Sequence, residues 1–328
     1  IYGLFRRAKR HPEAELSFEG HPNNTTKEHL ETLSQLGFTR VSYGVQDYNE
    51  TVQRAIHRVQ PFENVKHVSD TSRELGFKSV GHDLIYGLPF QTKDHIVETI
   101  ERTKEIMPDR IAFYSYAHVP WLKGNGQRGF KKENLPTPEE KGEQYRIGKE
   151  LLLEAGYVEI GMDHFALPTD SLYEAIKDNT IHRNFMGYSA SKTQVMIGLG
   201  VSAISDSWYS FAQNVKGVEE YQKLVEDGIF PVFRGHILTK EDLVVRKHIL
   251  NLMCNFLTDW QDSEMQLPQM NDIIEGLSEM EMDGLIEIND KFIQVKEKGK
   301  PFVRNICMAF DLRLQRNKPE TQLFSMTV

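Results

Sequence analysis

The chain has 328 residues, 39% hydrophobic and 26% charged, enough apolar material for a substantial core and about two domains. A formal net charge of -8 supplies no general attraction for nucleic acid or anionic lipid, and no apolar run approaches the roughly 20 residues that span a bilayer. The opening IYGLFRRAKR lacks the order of regions in a secretory signal, and Cys254 and Cys307, set far apart in helical-looking contexts, suggest neither a disulfide framework nor a clustered metal site, so a cytoplasmic protein without nucleic-acid or membrane partners is expected.

In chain order, the opening segment reads as the middle of an amphipathic helix, and residues 14–19 read as a strand. Thr25 with Glu28 and Thr137 with Glu140 have capping-box spacing, the second with Pro138 at the first helical position, and Thr92 suits the cap of a helix carrying Ile96 and Ile100. Three segments echo one another: LGFTRVSYGVQ from Leu36, LGFKSVGHDLIYG from Leu75 and AGYVEIGMDHF from Ala155. Each ends a helical pattern with glycine, places an aromatic residue after it and continues as a strand. With further strands at 110–117 and 195–204, this alternation predicts about six βα units around a parallel sheet, an α/β fold.

The polar residues fall at one end of these units. Glu19, Gln46 with Asp47, His82 with Asp83, Tyr116 with His118, and Asp163 with His164 lie within or just past the carboxyl ends of their strands, where parallel barrels carry chemistry. Asp83 is the sharpest case, because a carboxylate inside SVGHDLIYGLPF must find partners or lose solvation. A metal site from His82, Asp83, Asp163 and His164 is an alternative that no HxH or HExxH spacing supports.

The repeating region ends near Asp206 with fewer strands than a closed eight-unit barrel requires. Helical patterns then fall at 219–226, 240–256 and 271–282, followed by LIEIND, KFIQV and a helix over 298–310, with Asn289-Asp290 as a hairpin turn. The expected division is a partial barrel at 1–209 and a mainly α-helical domain with a small wing-like hairpin at 210–328. A winged-helix DNA binder is an alternative for the second, opposed by the many apolar positions of its last helix.

GVQDYNETVQRAIHRVQ, DLIYGLPFQT, YAHVP, GMDHFALPTD, HRNFMGY, GVSAIS and RNICMAFD, in this order along nearly the whole chain, resemble the oxygen-independent coproporphyrinogen III oxidases of the radical SAM superfamily. The resemblance implies an incomplete parallel (β/α) barrel followed by a mostly helical domain. It also implies a 4Fe-4S cluster that reductively cleaves S-adenosylmethionine (SAM) to a 5'-deoxyadenosyl radical. That radical takes hydrogen from the β carbon of a propionate; loss of an electron and carbon dioxide leaves a vinyl group. Two such events turn coproporphyrinogen III into protoporphyrinogen IX, with electrons exchanged with an unidentified donor.

Carried onto this sequence, the resemblance implies that Glu19 and Ile204 contact the SAM held at the cluster. Gln46, Arg58, Asp83 and Ala117 would contact a second SAM, Ala117 through its backbone. The family's CxxxCxxC loop and glycine-rich segment do not occur in this sequence, so the resemblance implies an N-terminally truncated barrel, inactive alone, with the cluster ligands upstream of Ile1. A haem chaperone-like radical SAM paralogue, binding haem without this turnover, is the alternative function. Arg183, Arg234 and Arg304, with His182, are candidates to meet the substrate's four carboxylates, and Trp121 and Phe130 could cover a flat macrocycle.

Overall fold

The computed structural model describes residues 2–119, 129–193 and 195–317, in two compact units that divide between Glu174 and Ala175. The first contains α1 (Tyr2–Arg7), β1 (Ser17–Gly20), α2 (Lys27–Gln35), β2 (Arg40–Gln46), α3 (Glu50–Ala55), α4 (Phe62–Glu74), β3 (Ser79–Tyr86), α5 (Lys93–Ile106), β4 (Arg110–Ser115), α6 (Pro138–Glu154), β5 (Val158–Glu159) and β6 (His164–Ala166). One six-stranded sheet, ordered β1-β2-β3-β4-β6-β5, organises them; its first four strands are parallel. The expected α/β class, with parallel strands in its main sheet, is therefore present.

Local sequence explains these elements. Threonine caps start α2, α5 and α6, and the repeated glycines Gly37, Gly76 and Gly156 stop three helices at φ of 88°, 89° and 93°, a backbone region where a Cβ is strained. The cap of α2 is Thr26 with His29 at the third position, rather than Thr25 with Glu28; the Thr25 hydroxyl donates to the His21 carbonyl at 3.0 Å. Val41, Tyr43 and Val45 of β2 alternate with Ser42, Gly44 and Gln46, so one face joins the core with Leu30, Val65, Val80, Leu84, Ile100 and Phe113. The other face carries the polar residues.

Two expected strands differ. The strand of the third repeat, β5, does not pair with β4: the chain turns at residues 161–163, and β6 lies between them, antiparallel to both. Residues 195–203 hold only an isolated bridge from Met196 to Asp206, and a strand begins at Ile204. Gly198 lies so close to the Ile204 backbone that an added Cβ would meet it at 2.7 Å, and Gly200 has φ of 100°; both oppose a regular pleat. The parallel run is consequently four strands rather than about six.

At the amino end of β3 and β4, Asp170 of the GMDHFALPTD segment accepts from Arg110 Nε at 2.8 Å, from Ser79 Oγ at 2.9 Å and from the Leu172 amide at 2.8 Å. This buried, satisfied network ties the sheet to the following helix, a structural role at the end opposite the polar face's carboxyl termini.

The second unit is entered through α7 (Ser171–Lys177) and contains β7 (His182–Asn184), β8 (Gly187–Ser189), β9 (Ile204–Asp206), β10 (Ser210–Asn214), α8 (Val218–Glu226), β11 (Val232–Ile237), α9 (Lys240–Asn255), β12 (Leu257–Asp259), α10 (Met270–Gly276), α11 (Ser278–Met282), β13 (Ile286–Ile288), β14 (Phe292–Val295), α12 (Val303–Phe310) and α13 (Leu312–Arg316). The wing-like hairpin is β13–β14, extended by β12. The helix expected over 271–282 is two helices meeting at Leu277, and that over 298–310 begins as a 3-10 turn at Glu297–Phe302. Strands β10 and β11, in a region read as helical, were not legible. Helix α12 buries Val303, Ile306, Cys307 and Phe310 and packs on α9, which opposes its use as a DNA-recognition helix. Among the described residues no helix is long and apolar enough to cross a membrane.

Candidate functional site

Strand register determines which polar side chains share a face. Glu19 pairs with Ser42, Gly44 with Asp83, Asp83 with Ala112, and Ala112 with His164. Paired residues point the same way, as do residues two apart, so Glu19, Ser42, Asp83, Tyr114 and His164 occupy one face of the sheet. His82 points to the other. It is fully buried against α4, where its Nε2 lies 3.0 Å from Ser69 Oγ, and burial lowers its pKa to about 3. The proposed quartet of His82, Asp83, Asp163 and His164 is thereby split, and no group able to hold a metal occurs among the described residues.

Asp83 is half-buried and accepts from Ser42 Oγ at 3.2 Å. Its pKa is raised to about 6, chiefly by burial and further by the Glu19 carboxylate, with the Ser42 hydrogen bond and the Arg58 charge opposing. Arg58 approaches from the loop after α3 and donates from Nη2 to the Gly44 carbonyl at 2.8 Å, while its Nε is buried and without a partner. Gly44 makes room for this: a Cβ there would meet Gln46 Nε2 at 2.7 Å and Arg58 Nη2 at 2.8 Å. Gln46 sits at a bulge of β2 against β3 with φ of 70°, a left-handed conformation rarely taken by a residue with a side chain. Gln46, Arg58 and Asp83 are thus brought together around Gly44.

Two glutamines hold this arrangement. Gln60 Nε2 donates to the Gly44 and Val45 carbonyls at 3.1 and 2.9 Å, and the Gln60 amide donates to Gln53 Oε1 at 2.9 Å. Gln53 Nε2 in turn reaches the carbonyls of Asp47 and Gln60, both at 2.8 Å. Asp47 is fully buried and structural: it accepts from Gln91 Nε2 at 2.7 Å and the Asn49 amide at 2.6 Å, and burial raises its pKa to about 6. Gln91 also donates to the Ile85 carbonyl, tying the ends of β2 and β3.

The remaining expected residues lie as follows. Glu19 is exposed near the end of β1, and Ala117 is exposed just beyond β4, after Tyr116, whose amide donates to the Tyr86 carbonyl at 2.8 Å. Tyr114 Oη lies 3.4 Å from His164 Nε2, with the rings edge to face. Ile204, in the second unit, starts β9 opposite Gln213 of β10 and is half-buried. Phe130 packs near the rings of Tyr116 and His118; Trp121 lies outside the described residues.

SAM offers a carboxylate, an ammonium, ribose hydroxyls and a sulfonium. The orphaned Arg58 Nε, the Gln46 amide that closes over Gly44 beside it and an acceptor at Asp83 fit such a molecule. A 4Fe-4S cluster does not fit the two cysteines: both are buried in the second unit, and burial pushes their thiols up to about 11 and 12.

The model of the radical SAM superfamily matches residues 1–103. The oxygen-independent coproporphyrinogen III oxidase of Escherichia coli strain K12 is 38% identical over 321 residues, covering 96% of this chain and 70% of that protein. The protein of the same name from Helicobacter pylori strain J99 is 39% identical, over 92% of this chain and 67% of its own. A solved structure of the Escherichia coli coproporphyrinogen III oxidase, described as a radical SAM enzyme, superposes with a TM-score of 0.88, covering 95% of this chain and 73% of that one.

Proposed function

The chain belongs to the oxygen-independent coproporphyrinogen III oxidase family, and we propose that its site residues serve that reaction as follows. The substrate is coproporphyrinogen III, two of whose propionates become vinyl groups. A 4Fe-4S cluster with SAM would supply the hydrogen-abstracting radical. Arg58 pairs its planar fork of donors with a SAM carboxylate, Asp83 accepts from the ligand's polar hydrogens, and Gln46 and the Ala117 backbone complete that subsite. Glu19 and Ile204 contact the SAM that the cluster holds. Neither cysteine of this chain ligates the cluster, and the electron donor is a separate molecule.

Continuous similarity over nearly the whole chain to relatives of this name carries the reading. The arrangement around Gly44 supports the SAM subsite, because a half-buried carboxylate beside a guanidinium whose Nε has no partner suits a zwitterionic ligand. Assay of the reconstituted full-length enzyme under anaerobic conditions, with reductant and SAM, tests it. Conversion of coproporphyrinogen III to protoporphyrinogen IX with release of two carbon dioxide molecules is expected. Stable haem binding without turnover would overturn it.

A further inference from the structure

A cavity of about 390 Å³ lies wholly within the second unit, walled by the β7–β8 hairpin, β9 to β11, α9 and α13. Much of its lining is apolar, including Phe211, Leu238, Val245, Ile249 and Leu312. Three arginines also reach it, and they differ in one respect. Arg246 is neutralised by Asp206, with Nη1 and Nη2 at 3.0 and 2.6 Å from its two oxygens, and Arg313 is neutralised by Asp242 at 2.6 and 2.8 Å. Arg183 has no carboxylate partner among the described residues.

The Arg183 guanidinium instead lies 5.2 Å from the centre of the Tyr188 ring, and its Nε is buried without a hydrogen-bond partner. Tyr188 is itself fixed, since its hydroxyl donates to the Met253 carbonyl at 2.8 Å. A cation held on an aromatic face, partly out of water and without an anion, is costly unless a ligand completes it, and a guanidinium fork matches a carboxylate through two parallel hydrogen bonds. The other two candidate arginines lack this setting: Arg234 is exposed on β11 and donates to Gln213, and Arg304 is exposed on α12 and does not line the cavity.

We propose that Arg183 receives a propionate carboxylate of the tetrapyrrole, with the adjoining apolar wall taking the pyrrole ring that bears it. This deepens the substrate reading above and rests on it. The charge on Arg183 would then anchor one propionate, and substrate binding would depend on it.

The test uses coproporphyrin III, the oxidised form with the same four propionates, and its tetramethyl ester, titrated by fluorescence into the full chain. Loss of one charge-assisted pair predicts that Arg183→Gln weakens coproporphyrin III binding by about tenfold to a hundredfold, while the ester binds wild type and variant alike. Arg183→Lys, which keeps stem and charge but not the fork, is expected to lose roughly threefold to tenfold, and it carries the test if the glutamine variant does not fold. Wild-type protein that fails to bind coproporphyrin III overturns the substrate reading itself. Wild-type binding with both variants unchanged overturns the assignment of Arg183 alone.

Discussion

Arg58 Nη2 donates to the Gly44 carbonyl at 2.8 Å, and the absent side chain of Gly44 is what lets Arg58 and Gln46 close over the strand beside Asp83. A Cβ would meet both side chains at under 3 Å, and both contacts are flexible ends, so Gly44→Ala should displace them without disrupting the sheet. Equilibrium dialysis with labelled SAM should show affinity falling by about tenfold or more, a cost of roughly 1.4 kcal/mol, while the melting temperature moves by only a few degrees. Unchanged affinity would separate Gly44 from the subsite.

Asp83 carries a stability cost that the ligand site explains. Its folded-state pKa of about 6 lies above the ordinary 3.8, so the folded protein holds this proton more tightly than the unfolded chain. The stability it contributes is complete below about pH 4 and is lost as pH rises through 6. Asp83→Asn should therefore raise the free protein's stability at pH 7 and above, by on the order of 2 kcal/mol, and leave it unchanged near pH 4. Urea denaturation at the two pH values reads the difference; a variant destabilised at pH 7 would contradict the account.

The same group predicts proton release. A cationic sulfonium or ammonium beside Asp83 favours its ionised form, so SAM binding at pH 6 should release a fraction of a proton. Calorimetry in two buffers of different ionisation enthalpy measures that fraction, which should disappear in Asp83→Asn and fall away toward pH 8. A proton taken up instead would place the positive groups of SAM elsewhere.

Gln60 acts through position. Replacing it by Leu removes the donor that satisfies the Gly44 and Val45 carbonyls, at a cost of about 1–3 kcal/mol. Because Arg58 shares the Gly44 carbonyl, SAM affinity should fall as well, and Gln60→Glu should not restore it, since a carboxylate cannot donate. Loss of stability with SAM affinity intact would confine Gln60 to structure.

Much of this was legible in sequence for a definite reason. The Leu-Gly-aromatic repeats marked helix ends and strand starts because a left-handed stop needs glycine, and they located β2 and β3 with Gln46 and Asp83 at their ends. Adjacency in sequence misled at His82 and Asp83, since neighbours on a strand face opposite ways; His82 belongs to the helix-packed core. Gln53 and Gln60 went unnoticed because side-chain amides bonded to backbone carbonyls leave no motif. A signal for Gly44 was available: a glycine inside an alternating apolar strand commonly marks the close approach of another group. Strand β11 stayed hidden because neither of its faces is buried, so no alternation of apolar and polar residues is imposed on VFRGHI, and β10 is a five-residue strand with a single buried residue, Asn214.

The central claim is that Arg58 and Asp83 jointly hold SAM, and calorimetric titration of SAM into wild type, Arg58→Lys and Arg58→Gln measures it most directly. Affinity should fall by about tenfold or more in the lysine variant, which keeps the charge but not the fork, and further in the glutamine variant. Equal affinity in all three proteins, each folded to the same melting temperature, would contradict it.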